Sequence, residues 1–94
     1  MNEPVIGVVC TSRAGHDKGR AFVIIGVCDD NHVLLCDGET RKLERPKKKK
    51  LMHLHIEPQT ADEIVKRVAE GAKLLDADVR KALNRLGYNV DSDK

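Results

Sequence analysis

Val5-Ile6-Gly7-Val8-Val9-Cys10, then Thr11-Ser12-Arg13-Ala14-Gly15-His16-Asp17-Lys18-Gly19-Arg20, then Ala21-Phe22-Val23-Ile24-Ile25-Gly26-Val27-Cys28 is the stretch that decides the fold. Its two flanks are short, apolar and rich in β-branched residues, which favours strands over helices. Its middle is small, polar and cationic, with Gly15 and Gly19 as turn-permissive positions. Asp29-Asp30-Asn31 then makes a tight polar turn, and His32-Val33-Leu34-Leu35-Cys36 returns as the third strand, completing a hairpin. Asp37-Gly38 is the strongest two-residue turn signal in the chain, so a fourth strand is expected around residues 40–43. After Pro46, residues 51–56 alternate as a fifth, with Met52, Leu54 and Ile56 on one face and Leu51, His53 and His55 on the other. Five short strands this close together predict a small five-stranded antiparallel barrel or rolled sheet, because a flat sheet would expose an apolar face and two edges.

The pattern changes at Glu57-Pro58. Thr60 with Glu63 reads as a capping box, Ile64, Val65, Val68 and Ala72 recur at helical spacing, and Gly71 weakens or ends the helix. A second helix starts at Asp76 or Asp78, presents Val79, Ala82, Leu83 and Leu86, and stops at Gly87. The fold class is therefore mainly β with an α appendage: a barrel over residues 1–58 and a helical segment over residues 59–94. The helices are expected to pack on the barrel or on a partner, and residues 91–94 to fray.

Composition narrows the function. With 40% hydrophobic and 34% charged residues, the 94-residue chain is globular. Tyr88 and Phe22 are the only Phe, Trp or Tyr residues, which disfavours base-stacking platforms. Before Glu57 the chain has ten Lys or Arg against seven Asp or Glu; from Glu57 onward it has seven against eight. The cationic surplus is thus local rather than global. Cys10, Cys28 and Cys36 form an odd set with no Cys-x-x-Cys, and there is no His-x-x-x-His. Cys28 and Cys36 are placed across the hairpin from one another, as small apolar residues. No structural metal, cofactor or disulfide framework is expected. Cys10 beside His16 or His32 has no acid placed to orient the histidine, so no catalytic site is expected either. No secretory signal and no run of membrane-spanning length is present, so the expected setting is the cytoplasm, without membrane contact.

The loop between the first two strands carries Arg13, Lys18 and Arg20 around Gly15, His16 and Gly19. Glycines let backbone amides approach a phosphate, and flanking cations supply charge. It lacks the Gly-Lys-Ser/Thr ending of a Walker loop. Taken with its strands, this segment, residues 5–31, resembles a KOW motif, with Gly19 as the central glycine and Lys18 and Arg20 as its basic companions. The resemblance extends through Val33-Leu34-Leu35-Cys36-Asp37-Gly38, a basic run and Met52-His53-Leu54-His55-Ile56-Glu57-Pro58 to KOW proteins of the archaeal and eukaryotic large ribosomal subunit. It implies an SH3-like barrel that binds structured RNA, ribosomal RNA in particular, through the first inter-strand loop and neighbouring basic residues.

The second cationic feature is Arg41, Lys42, Arg45 and Lys47-Lys48-Lys49-Lys50, opposed only by Glu44. Crowded cations repel one another, and a polyanion relieves that repulsion while releasing its own counterions. The expected partner is therefore structured RNA, read by shape and phosphate rather than base edges. The protein is expected to be a monomer when free. The alternative is a KOW module that binds protein within a transcription or translation factor, docking through the helical segment.

Overall fold

Both faces of the central strands are covered, which is why they read as unbroken apolar runs rather than alternating ones. In the computed structural model, which describes residues 3–90, β1 (Val8–Ser12), β2 (Ala21–Val27), β3 (His32–Cys36), β4 (Lys47–Lys50) and β5 (Leu54–Thr60) form one sheet. Every neighbouring pair is antiparallel, in the order β4-β3-β2-β1-β5. Two helices, α1 (Asp62–Glu70) and α2 (Asp76–Arg85), follow. The class is the expected one.

Alternate residues of each strand feed two separate cores. Val8 and Cys10, Phe22 and Ile24, Val33 and Leu35 join Leu54 on the concave side. Val9, Ala21, Val23 and Cys36 face the other way and meet Ala61, Ile64, Val79, Ala82 and Leu83. The helices thus pack on the back of the sheet. Their seat is close: a Cβ on Gly7 would lie 2.2 Å from Val65 Cγ2, and Gly7 has a φ of +96°. Beyond α2, Asn89 holds Ala21 through both backbone groups, accepting its N–H at 3.0 Å and donating to its carbonyl at 2.9 Å.

Several expectations are corrected. The sheet does not close by hydrogen bonding: β4 and β5 are its two ends, linked in the chain by a 3₁₀ turn over Leu51–His53. It curls instead, with bulges between Val8 and Cys10 and between Ile24 and Gly26, where an extra residue bends a strand. The curl brings β4 over β1, so that Lys49 Nζ donates to Ser12 Oγ at 3.0 Å. The fourth strand is not near residues 40–43 but is the lysine run itself, paired with β3 from His32↔Lys50 to Leu35↔Lys47. The fifth begins at Leu54, leaving Met52 in the 3₁₀ turn, 70% exposed, rather than on the apolar face with Leu54.

Helix starts also differ. Thr60 ends β5, and Ala61 is the N-cap of α1 with no side-chain cap. Of the predicted stripe in α1 only Ile64 is buried, while Val65 and Val68 are exposed. At α2, Asp78 does reach back to the Leu75 N–H at 2.9 Å. Cys28 lies exposed beyond β2, whereas Cys36 is buried opposite Val23, so these thiols do not face each other. The predicted frayed tail lies outside the described residues.

Candidate nucleic-acid interface

The β1–β2 loop is a tied structure rather than a floppy one. Its neck closes where Ser12 donates to the Arg20 carbonyl at 3.0 Å and receives the Gly19 N–H at 2.9 Å. Within it, Lys18 N–H reaches the Gly15 carbonyl at 3.2 Å and Arg20 N–H reaches Asp17 at 2.8 Å. Gly15 and Gly19 sit at φ of +80° and +87°, with open space where a Cβ would stand. Backbone conformation, not crowding, requires glycine there. The same open space leaves the loop accessible. The Gly19 amide is engaged by Ser12, so it is not a phosphate donor as the sequence suggested. Arg13, His16 and Lys18 project to solvent.

Residues 37–45 form the second loop, organised by one buried carboxylate. Asp37 is 1% exposed. It accepts the Glu39 and Arg41 amides at 2.9 and 2.8 Å, the Thr40 hydroxyl at 2.7 Å and Arg20 Nε at 2.5 Å. Burial works to raise its pKa, but the Arg41 amide, the Thr40 hydroxyl, the Glu39 amide and Arg20 outweigh burial and hold it below the ordinary carboxylate value. Arg20 also grips Glu39 at 2.7 Å, and Arg41 stands 3.9 Å from Asp17. Two loops far apart in sequence are thereby held side by side.

This geometry sorts the thirteen cationic and loop residues singled out from the sequence. Arg20 ties the two loops together, so its guanidinium is already paired. Arg41 is half-buried, and Lys42 and Arg45 are exposed. In β4 the lysines alternate. Lys47 and Lys49 lie opposite the buried Leu35 and Val33, so their stems cover the concave core. Lys48 and Lys50 lie opposite Leu34 and His32 and are exposed. The first loop, the second loop and Lys49 of β4 come together; Lys48 and Lys50 face away from them.

Asp37 and Ser12 were missed as contributors. An Asp beginning a turn, followed closely by a Thr, is the sequence signal for a carboxylate bonding the backbone ahead of it. Ser12 carries no such signal. The buried thiols are inert by environment: burial, more than Glu57, pushes Cys10 up to about 12, with Lys49 opposing weakly, and burial with Asp76 and Asp37 does the same for Cys36.

No family model matches the chain. It is similar to the large ribosomal subunit protein eL14 of Desulfurococcus amylolyticus, 34% identical over 82 residues that cover 87% of this chain and 78% of the relative. The large ribosomal subunit protein eL14 of Hyperthermus butylicus is 31% identical over 78 residues, covering 76% of this chain and 80% of the relative.

Proposed function

Because the chain belongs to the large ribosomal subunit protein eL14 family, we propose that it is a ribosomal or ribosome-associated protein of the cytoplasm that binds structured ribosomal RNA, without a catalytic role. The contact surface is the pair of joined loops: Arg13, Gly15, His16 and Lys18 from the first, Arg41, Lys42 and Arg45 from the second, with Lys49 of β4 beside them and Lys48 and Lys50 extending the cationic surface on the other face of that strand. One observation carries this placement. Arg20, Asp37 and Glu39 hold the loops together and leave Arg13, Lys18, Lys42 and Arg45 turned to solvent. Such a surface meets phosphates at fixed spacings, which suits a folded RNA better than a flexible strand.

In this reading Gly19 shapes the loop, and the Gly15 amide is the backbone group open to a phosphate. The protein-docking alternative relied on the helical segment. Of the apolar residues it would use, Ile64, Val79, Ala82 and Leu83 are buried against the sheet, which leaves Val65, Val68 and Leu75 as its exposed apolar groups.

The test is to replace Arg13, Lys18, Lys42 and Arg45 by Gln and titrate a large-subunit ribosomal RNA hairpin at 0.1 M salt. Affinity should fall by about tenfold or more, since each lost phosphate contact forfeits counterion release. Full affinity in a folded variant would place the RNA surface elsewhere.

A further inference from the structure

Lys50, one of the two outward lysines of β4, borders a different feature: a depression of about 340 Å³, lined by Asn31, His32, Lys50, Leu51 and Met52. The size is that of a small-ligand site. The chain builds it from two tips, the β2–β3 turn and the 3₁₀ turn, joined by the Leu51 N–H donating to the Asn31 carbonyl at 2.8 Å. His32 and Lys50 are paired residues of β3 and β4 and share a face. Lys48 is the next lysine on that face.

The lining is an unusual mixture for a protein surface. Met52 is 70% exposed, a large apolar side chain that folding leaves in water. Thioethers pack well on the edges and faces of π-systems. The imidazole of His32 is a flat ring on which a base can stack, a capacity that counting Phe, Trp and Tyr overlooks. The Asn31 side chain offers both a donor and an acceptor, the pairing needed to meet a base edge. Lys50 supplies positive charge in the lining, and Lys48 adds a second cation further along the same strand face. The nearest acid in the turn, Asp29, is occupied: one oxygen accepts the Asn31 and His32 amides at 2.8 and 2.9 Å and lies 3.0 Å from His32 Nδ1. Asp30 beside it is exposed and is the only other acid of that turn.

A flat apolar shelf, a stacking ring, an amide and a cationic rim together match one chemical object. We propose that this depression receives a single unpaired nucleotide of an RNA helix, with the base against Met52 and His32 and its phosphates by Lys50 and Lys48. The inference rests on the RNA-binding reading above and adds to it a second contact, which senses an extruded base rather than helix shape.

Two RNA hairpins separate the two ideas: one fully paired, the other identical except for one bulged adenosine. Met1 and Met52 are the only methionines, so a ¹³C-methyl spectrum of the full chain reports on the depression directly. The bulged hairpin should bind about tenfold more tightly than the paired one, the order expected of one stacked base. Only the bulged hairpin should shift the Met52 methyl signal. Met52→Ser, at an exposed position, should erase the preference and leave affinity for the paired hairpin unchanged. Equal affinities with an unmoved Met52 signal would overturn the nucleotide site, give the depression to another occupant such as a protein side chain, and leave the loop surface standing. Equal shifts with both hairpins would also overturn it. Binding to neither hairpin would overturn both readings.

Discussion

Asp37 shows how one side chain can organise a binding surface without touching a ligand. Its four donors come from Arg20 at the end of the β1–β2 loop and from the loop that follows Asp37 itself, so removing its charge loosens the link between the two basic loops. Asp37→Asn keeps the shape but loses the charge-assisted bonds and should cost about 2 kcal/mol of stability. The pH dependence follows from the depressed pKa. A carboxyl held below its unfolded value contributes stability above that value and loses it as pH falls through the folded one. Wild-type stability should therefore decline as pH drops below the ordinary value of 3.8, and Asp37→Asn should lack that part of the decline. Denaturant titrations between neutral pH and the acid limb compare the two; parallel curves would show that Asp37 is not the group responsible.

At the scale of elements, the two helices are half of the core rather than an appendage in the energetic sense. Val9, Ala21, Val23 and Cys36 are covered mainly by Ala61, Ile64, Val79, Ala82 and Leu83 of α1, α2 and their flanks, with Ile25 and Leu43 packed beside them. A chain ending after Gln59 should show no cooperative thermal transition, and Leu83→Ala in the full chain should cost about 2–5 kcal/mol. A sharp melt of the truncated chain would mean that the curled sheet stands alone. The double burial also explains what was legible. Strands β1 to β3 were readable because continuous apolar runs between turn residues suit a sheet covered on both sides. β4 was not, because four consecutive lysines carry no apolar pattern and only their pairing with β3 makes them a strand. That pairing splits the run into inner Lys47 and Lys49 and outer Lys48 and Lys50, a division invisible in a uniform sequence. Lys48→Gln with Lys50→Gln should weaken RNA binding and leave the thermal midpoint unchanged. Lys47→Ala with Lys49→Ala should cost about 1 kcal/mol of stability through lost stem packing. Identical effects of the two pairs on both readouts would contradict the alternation.

For the molecule as a whole, a formal net charge of +2 hides a strongly uneven surface, and the candidate interface was legible only as a list of cations. Sequence distance concealed which of them stand together, because the link between the loops runs through Arg20, which looked like a ligand-binding group. Burial and pairing now separate the cations. Arg13, Lys18, Lys42, Arg45, Lys48 and Lys50 are exposed, whereas Arg20, Arg41, Lys47 and Lys49 are half-buried. If the exposed six carry the phosphate contacts, log affinity should fall with log salt at a slope of about −4 to −5, from −0.7 to −0.9 per contact. Gln at Lys48 and Lys50 should flatten that slope by about 1.5, and Gln at Lys47 and Lys49 should flatten it much less. Gly19→Val acts by another route, since a φ of +87° strains any branched residue. It should distort the loop, weaken a folded hairpin more than an unstructured strand, and leave the charge count, and hence the slope on the unstructured strand, as it was. A titration series on both RNAs across several salt concentrations measures all of these together. A slope near zero, or one that responds equally to the inner and outer lysines, would show that the exposed cations are not where the RNA lies.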